Sequence, residues 1–281
     1  MLLVYELSCL ILALLIALLT ISSWGYATKA FLGISNNEVI GPLDAWIGIV
    51  VSTSFVECVQ LLLPIQWPIS LICISLALFN ILGWQRNAYY ELWVKSWSAL
   101  QKNTLGVFFL LLCFIFLCLG ATLPAGNYDS GLYHFGTVAW LNEHPIAIGL
   151  GNLHSRLAFN QSYFSLVALL NFFPLWNKGY TVIGPLFITL TFATIFELKN
   201  RRPTLPVSLF FSLLVLCAFL TKDLASPAPD LGVQSIQIII FLLGFKLSEQ
   251  FQNNEKINLT YLSSLLLLSE LLVFIKLSGL V

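Results

Sequence analysis

The sequence is dominated by eight apolar stretches, each close to the length that a helix needs to cross a lipid bilayer. They occupy residues 2–22, 46–64, 67–84, 105–122, 180–197, 206–222, 231–246 and 258–275. A crossing takes about 20 apolar residues, and in lipid only helices and closed barrels satisfy their own backbone hydrogen bonds. We therefore predict an all-α fold, a polytopic transmembrane helical bundle with about eight spans.

Composition excludes the main alternatives to a membrane protein. Of 281 residues, 58% are hydrophobic and 9% are charged, whereas a soluble domain has about 25% charged residues. Thirteen basic and thirteen acidic residues give zero net charge, which argues against nucleic acid as a partner and against an acidic tail. The first stretch has Glu6 where a signal peptide has positive charge, so we expect a retained helix.

The basic residues suggest an orientation, because cytoplasmic loops are enriched in Lys and Arg. Placing loops 23–45, 85–104, 199–203 and 246–257 inside puts nine of the thirteen basic residues there. These are Lys29, Arg86, Lys95, Lys102, Lys199, Arg201, Arg202, Lys246 and Lys256. Arg156, Lys178, Lys222 and Lys276 then face outward, and so does the N-terminus.

Residues 162–178 are the difficulty for this orientation, since a ninth span would reverse the later loops. The stretch is short, contains Asn171 and Pro174, and is flanked by Tyr163 and Trp176. Aromatic residues of this kind favour the membrane interface. We predict a helix that lies in, or dips into, the outer interface without crossing.

Two polar segments, 123–161 and 222–230, are then expected on the same outer side. Between them they hold Asp129, His134, Glu143, His144, His154, Arg156, Lys222, Asp223 and Asp230. All three histidines of the protein are among these residues. This concentration of polar groups is the candidate functional site.

Asp129 admits two interpretations. It follows the apolar stretch 105–122 after a turn-forming Pro-Ala-Gly-Asn-Tyr, so a partly desolvated carboxylate there could act as a general base. Alternatively, Asp129 or Ser130 caps the helix that begins GLYHFGTVAWL. His134 lies five residues later, which is not the spacing of a shared α-helical face.

The run from Gly149 to Arg156 indicates a phosphate site. Two glycines allow close backbone approach, and Arg156 carries a planar fork that suits phosphate. A lipid headgroup bound by a snorkelling Arg156 is the alternative. No metal-ligand spacing occurs, although Asp129 and His154 with Asp223 or Asp230 could still meet in three dimensions. The sequence leaves the cofactor unknown.

The second segment offers further carboxylates. Asp230 precedes LGVQSIQIIIF after a stiff Ser-Pro-Ala-Pro turn and is expected to be a helix N-cap. Asp223 is expected to pair with Lys222 or with another loop residue. Glu57 lies inside an apolar stretch, where a carboxyl group must be protonated or paired.

The sequence NYDSGLYHFGTVAWLNEHPIAIGLGNLHSRLAFNQSYF, followed by SPAPD at 226–230, resembles an uncharacterised family of bacterial multi-pass proteins. That family is similar to GT-C glycosyltransferases, whose relatives include protein O-mannosyltransferases and aminoarabinose transferases. The resemblance covers roughly residues 105–281. It divides the chain into N-terminal transmembrane helices of unknown role, 1–104, and a GT-C-like membrane core, 105–281, that is expected to be incomplete at its C-terminus.

The resemblance implies a layout and an activity. The GT-C layout has a large first outer loop with juxtamembrane helices and an early catalytic Asp, the place that Asp129 occupies. Such enzymes transfer a sugar from a polyisoprenoid-phosphate donor with inversion. Arg156, with His154 or Lys222, would hold the departing lipid phosphate, His134 would help to bind substrate, and Asp223 and Asp230 would complete the site. Many GT-C loops carry two adjacent acids, whereas Ser130 follows Asp129.

The expected protein is thus an integral multi-pass glycosyltransferase of a bacterial inner membrane, with its active face outside the cytoplasm. Its expected partners are membrane lipid and the polyisoprenoid-phosphate donor. Two alternatives stay open from the sequence. One is a transporter or flippase for a lipid-linked or anionic solute, which the absence of a visible inverted repeat disfavours. The other is a non-catalytic subunit of a cell-surface polysaccharide system.

Overall fold

The computed structural model describes residues 2–34, 40–102, 104–149, 152, 162–172, 175–199 and 223–276. Within these ranges the chain forms helices and turns, with one isolated β-bridge between Phe172 and Trp176. The helices are α1 (Leu2–Phe31), α2 (Pro42–Gln60), α3 (Trp67–Leu82), α4 (Arg86–Lys102), α5 (Thr104–Ala121), α6 (Phe135–Glu143), α7 (Ser162–Leu169), α8 (Gly179–Lys199), α9 (Asp230–Gln252) and α10 (Leu259–Ile275). A π-helical turn, Ser130–His134, precedes α6. The all-α prediction is confirmed for these residues.

Several of the helices are long and apolar enough to cross a membrane. By length and composition these are α1, α2, α8 and α9, together with α3 and α4 if that bent pair is one broken span. Helix α10 is apolar but shorter. Such helices indicate a membrane protein. Seven of the eight predicted stretches coincide with helices, stretch 206–222 lies outside the described residues, and eight crossings stay a prediction.

Helices α1 and α2 cross at unusually short range. A Cβ atom on Gly25 would lie 1.6 Å from the carbonyl oxygen of Asp44, and one on Gly48 would lie 1.7 Å from that of Ile21. Only glycine therefore fits at either position. Glycine at a helix crossing lets two backbones approach closely, which increases van der Waals contact where lipid supplies no hydrophobic drive.

The crossing is completed by an ion pair at one end. Lys29, in the last turn of α1, lies 2.8 Å from the carboxylate of Asp44, and both side chains are almost fully buried. The same carboxylate accepts a hydrogen bond from the backbone N–H of Gly41, the N-cap of α2. Lys29 therefore belongs to a helix and not to a loop, because α1 continues to Phe31.

The core joins helices from both sides of residue 104. Trp46 of α2 is fully buried, stacks edge-on against Phe187 of α8, and donates from Nε1 to Thr194 Oγ1 at 2.9 Å. Helix α1 also contacts α5, and α2 contacts α7 and α10. The division at residue 104 stays a prediction, and the two parts share one hydrophobic core.

Two segments differ from the sequence expectations. Residues 85–104 were expected as a loop, but α4 occupies most of that range. Residues 162–178 contain a helix of only eight residues, α7, every residue of which is buried, followed by a turn that leads into α8. Eight residues are too few to cross a bilayer, and their burial means that α7 does not lie exposed on a surface.

The α1–α2 crossing makes a direct prediction about stability. Gly48→Ala forces the two backbones apart and should lower the free energy of unfolding by about 3 kcal/mol or more. The midpoint of denaturant-induced unfolding in detergent would measure this. Gly136→Ala is the matched control, because a Cβ there meets no atom within 4 Å. Equal midpoints for the two variants would contradict the crossing.

Candidate functional site

The two polar segments of the sequence meet at one end of the bundle. Ser130 Oγ lies 2.5 Å from Ser226 Oγ, and both side chains are buried. Asn127 Nδ2 donates to Asp223 Oδ1 at 2.7 Å. The described parts of segments 123–161 and 222–230 therefore form one site, which we call the loop junction: Asn127, Asp129, Ser130, His134, Asp223 and Ser226.

Asn127 is the bridge of the loop junction. While its Nδ2 donates to Asp223, its Oδ1 accepts the backbone N–H of Asp129 at 2.9 Å. One amide thus fixes the backbone at Asp129 and the carboxylate of Asp223, which is buried. A hydrogen bond from a neutral amide partly offsets the desolvation of a buried carboxylate.

Asp129 stands at the start of the π-helical turn. It has helical backbone angles, and its side chain makes no cap hydrogen bond to the helix. The capping interpretation is therefore wrong for Asp129: residues 128 and 129 are already helical, and the side-chain oxygen of Asn127 accepts the Asp129 N–H. Asp129 is partly exposed, so it lies at the solvent-accessible edge of the loop junction.

The π-helical turn also changes the relation between Asp129 and His134. Its hydrogen bonds join residues five apart, as Phe135 N does to Ser130 O. Five residues are the spacing that excluded a shared face of an ordinary α-helix. Single π turns inside helices occur often at functional sites, and this one lies where the sequence places its candidate residues.

His134 is buried in an aromatic setting. Its ring centroid lies 4.3 Å from that of Tyr133 and 5.2 Å from that of Phe164 in α7. Only 3% of the residue is exposed. His134 therefore joins the π-helical turn to α7.

The second polar segment is buried in the bundle. Residues 223–229 are all buried, from Asp223 to Pro229. Gly184 of α8 makes room for them, since a Cβ there would lie 2.5 Å from the carbonyl oxygen of Leu224. Gly120 of α5 makes room on the other side, since a Cβ there would lie 2.7 Å from the Leu224 side chain. The segment is wedged between α5 and α8.

Asp230 has a different role from the predicted one. Pro229 is the N-cap of α9 and Asp230 is its first helical residue, with no side-chain cap hydrogen bond. Instead, Asp230 Oδ1 accepts a hydrogen bond from Lys276 Nζ at the end of α10. The N-cap prediction is wrong because the turn supplies a proline at that position, which frees the carboxylate to pair across helices.

A second ion pair marks the same end of the bundle. Lys178 Nζ donates to Glu6 Oε1 at 2.8 Å and lies 5.4 Å from the ring centroid of Trp176. The hydrogen bond to Glu6 raises the pKa of Lys178 above its ordinary value. Since Lys178 directly precedes α8, this pair ties the first turns of α1 to the end of the bundle that carries the junction.

Tyr163 was not found from the sequence as a site residue. Its side chain is buried, its ring lies where a Cβ on Gly232 would meet it at 2.6 Å, and its hydroxyl has no hydrogen-bond partner among the described residues. Burial raises the pKa of the Tyr163 phenol, and the nearby carboxylates of Asp223 and Asp230 raise it further. The hydroxyl therefore stays protonated beside two site carboxylates.

A network of hydrogen bonds joins α7 to α2. Ser165 donates to Gln60 Oε1 at 2.8 Å, and Gln60 donates in turn to Glu57 Oε2 at 2.6 Å. Asn142 donates to the carbonyl oxygen of Ile65 at 2.6 Å and also contacts Asn171. Glu57 thereby gains the partner that the sequence left unnamed.

Three of the predicted site residues, His154, Arg156 and Lys222, lie outside the described residues. The structure therefore joins Asp223 to the backbone at Asp129 through Asn127, and His134 lies at the far end of the same π-helical turn. Asp230 is held by Lys276. Within the described ranges, no three His, Cys, Asp or Glu side chains form a group that could hold a metal ion.

The Asn127 bridge predicts a pH-dependent variant. In Asn127→Asp, a second carboxylate faces Asp223, and repulsion raises the pKa of one of them. A carboxyl group whose pKa is raised by folding contributes stability at low pH that is lost as pH rises through that pKa. The variant should therefore be less stable at about pH 8 than at about pH 5, relative to the unmodified protein.

Asn127→Ala is the control for this measurement, because it removes the same hydrogen bonds without adding a charge. Its loss of unfolding free energy should be about 1–3 kcal/mol. That loss should change less between the two pH values than the loss in Asn127→Asp, because no second carboxylate faces Asp223. Thermal unfolding in detergent at each pH would give both quantities. A profile for Asn127→Asp that parallels that of Asn127→Ala would contradict the bridge.

Comparison with known proteins adds a family without an assigned activity. No curated protein and no solved structure matches the chain. A family model described as a domain of unknown function, DUF8201, matches residues 7–281, which is almost the whole chain. The chain belongs to the DUF8201 family.

Proposed function

We propose that the protein is a membrane-embedded glycosyltransferase of the GT-C type. It would transfer a sugar from a polyisoprenoid-phosphate donor to an acceptor at the outer membrane face. One observation carries the proposal more than any other: Asn127 joins the backbone of Asp129 to the carboxylate of Asp223, so that two polar segments distant in sequence form one site.

Asp129 is the proposed catalytic base. It follows α5 closely, it is partly exposed, and the backbone around it is fixed by Asn127 and by the π-helical turn. A base held by such supports reaches an acceptor hydroxyl in one orientation only. The carboxylate would take the proton of that hydroxyl as the acceptor oxygen attacks the anomeric carbon.

The leaving group is the lipid phosphate. As the acceptor oxygen bonds to the anomeric carbon, the bond from that carbon to the phosphate oxygen breaks, and its electron pair leaves with the polyisoprenyl phosphate. Attack from the opposite face inverts the configuration. Arg156, with His154 or Lys222, is proposed to hold the departing phosphate by charge-assisted hydrogen bonds.

The remaining site residues have supporting roles in the proposal. Asp223 is buried and bonded to Asn127, so it would orient Asn127 and the Asp129 backbone. His134, buried between Tyr133 and Phe164, would border the sugar site. Asp230 is paired with Lys276 and would fix the ends of α9 and α10 beside the junction.

The proposed orientation places the loop junction outside the cytoplasm. Of the described basic residues, Lys178 and Lys276 lie at the junction end, whereas Lys29, Lys246 and Lys256 lie at the opposite helix ends. The cytoplasmic side of a membrane protein carries the excess of basic residues. This distribution supports the proposal that the site faces away from the cytosol. The resemblance described above is the ground for proposing a bacterial inner membrane.

Replacement of the proposed base tests the function. Asp129→Asn keeps size and hydrogen-bonding capacity but cannot accept the proton, so transfer should fall by about 10²–10⁴-fold. The measurement is transfer of radiolabelled sugar from a polyisoprenoid-phosphate donor to acceptors in membranes that contain the variant. Glu143→Gln is the matched control, since Glu143 is an exposed carboxylate on α6, and it should retain full transfer.

The other outcomes separate the alternative functions. Undiminished transfer by Asp129→Asn would show that Asp129 is not the base. Movement of a lipid-linked sugar across reconstituted vesicles without transfer would favour the flippase. Failure of the unmodified protein in both assays, with its fold intact, would favour a non-catalytic subunit.

A further inference from the structure

Helix α4 carries a row of aromatic side chains that do not pack into the core of the bundle. Tyr90, Trp93, Val94 and Trp97 recur at the spacing of one α-helical face, and all four are exposed. Trp93 and Trp97 are 60% and 53% exposed, and their rings stack with centroids 6.0 Å apart. A row of exposed aromatic side chains is unusual on a surface that faces water.

The direction of α4 separates it from the spanning helices. It is bent by 82° from α3 at a break of a few residues. If α3 follows the membrane normal, α4 therefore runs close to the plane of the membrane. Exposed apolar side chains such as Phe79 and Leu82 continue along α3 up to the bend.

The bend is fixed by contacts with α1. Gln85 is fully buried, donates from Nε2 to the carbonyl oxygen of Ser23 at 3.0 Å, and accepts the Ser23 hydroxyl at 2.8 Å. The rings of Trp84 and Tyr26 lie 5.7 Å apart. The angle between α3 and α4 is thus held by buried hydrogen bonds on the side of α1.

The level of the bend along α1 matches the edge of the hydrocarbon. The apolar stretch of α1 runs to residue 22, and the residues that follow are Ser23, Trp24, Gly25 and Tyr26. At about 1.5 Å per residue, an apolar helix of about 20 residues spans the roughly 30 Å of hydrocarbon. Gln85 contacts Ser23, so α4 begins where the hydrocarbon ends and the headgroup layer starts.

We propose that α4 is a membrane-surface helix. Its aromatic face lies in the headgroup layer at the end of the bundle opposite the loop junction, and Arg86 and Lys95 bind the phosphates of anionic lipids. Trp and Tyr prefer this layer because their rings have an apolar body and a polar edge. Both Arg86 and Lys95 are exposed, and of the acidic residues α4 carries only Glu91. This inference does not depend on the proposed glycosyl transfer.

Fluorescence quenching tests where the aromatic face lies. The protein is reconstituted into phosphatidylcholine vesicles, and the emission of a Trp93→Phe/Trp97→Phe variant is subtracted from that of the unmodified protein. Lipids brominated near the headgroup end of their chains should quench this difference emission, and aqueous iodide should quench it only weakly. Trp46→Phe is the control, because Trp46 is fully buried and its difference emission should respond to neither quencher.

A second arm tests the charge of the lipid. Trace amounts of brominated phosphatidylglycerol and brominated phosphatidylcholine are compared in the same vesicles. One cation near an anionic surface favours the anionic lipid by up to about fivefold. The difference emission should therefore be quenched more by the phosphatidylglycerol, and this preference should fall towards parity in Arg86→Gln/Lys95→Gln.

Three results would overturn the proposal. Strong iodide quenching of the difference emission would place α4 in water. Protection from both iodide and brominated lipid would mean that a protein surface, such as a second copy of the chain, covers the aromatic face. Equal quenching by the two brominated lipids in the unmodified protein would remove the role of Arg86 and Lys95.

Discussion

The arrangement of the candidate site depends on burying a segment that is not helical. Residues 223–229 lie inside the bundle, where backbone groups must find hydrogen-bond partners within the protein. Ser226 meets part of that need, since its hydroxyl accepts the N–H of Ala228 and contacts Ser130, while its own N–H donates to the carbonyl oxygen of Asp223. Gly120 and Gly184 provide the room. The geometry of the site therefore depends on how the helices pack. A shift of α5 or α8 would move Asp223, and Asn127 would transmit that shift to the backbone of Asp129.

The apolar stretches predicted helices well, because the length of an apolar run can be read directly from consecutive residues. Apolar length does not indicate α4, because this helix has charged and aromatic residues together, although its aromatic residues recur at helical spacing. A helix is expected at α7, but its burial on all sides is not, because a short apolar sequence flanked by aromatic residues also suits the membrane interface. The predicted N-cap at Asp230 was displaced by one residue, within the ordinary uncertainty of helix ends.

The candidate site was predicted in outline from the clustering of its charged residues, and Asp129, His134 and Asp223 were named individually. The neutral side chains that position these residues were not predicted. Asn127 and Asp223 are 96 residues apart, as are Ser130 and Ser226, and no local spacing reveals such a contact. Tyr163 was noticed only as an interface aromatic, although its hydroxyl lies buried in the field of Asp223 and Asp230. Charge is visible in a sequence because it is rare in an apolar chain, whereas amides and hydroxyls take their importance from their partners.

The close crossing of α1 and α2 has a consequence for how the chain is made. The two helices are joined by a short connection, so their contacts are local and can form while later helices are still being synthesised. Lys29 and Asp44 can then form their ion pair as soon as α1 and α2 pack together, before the later helices are present. The remaining helices pack onto a surface that already exists. The first sixty residues would thus act as the template for assembly of the protein in the membrane.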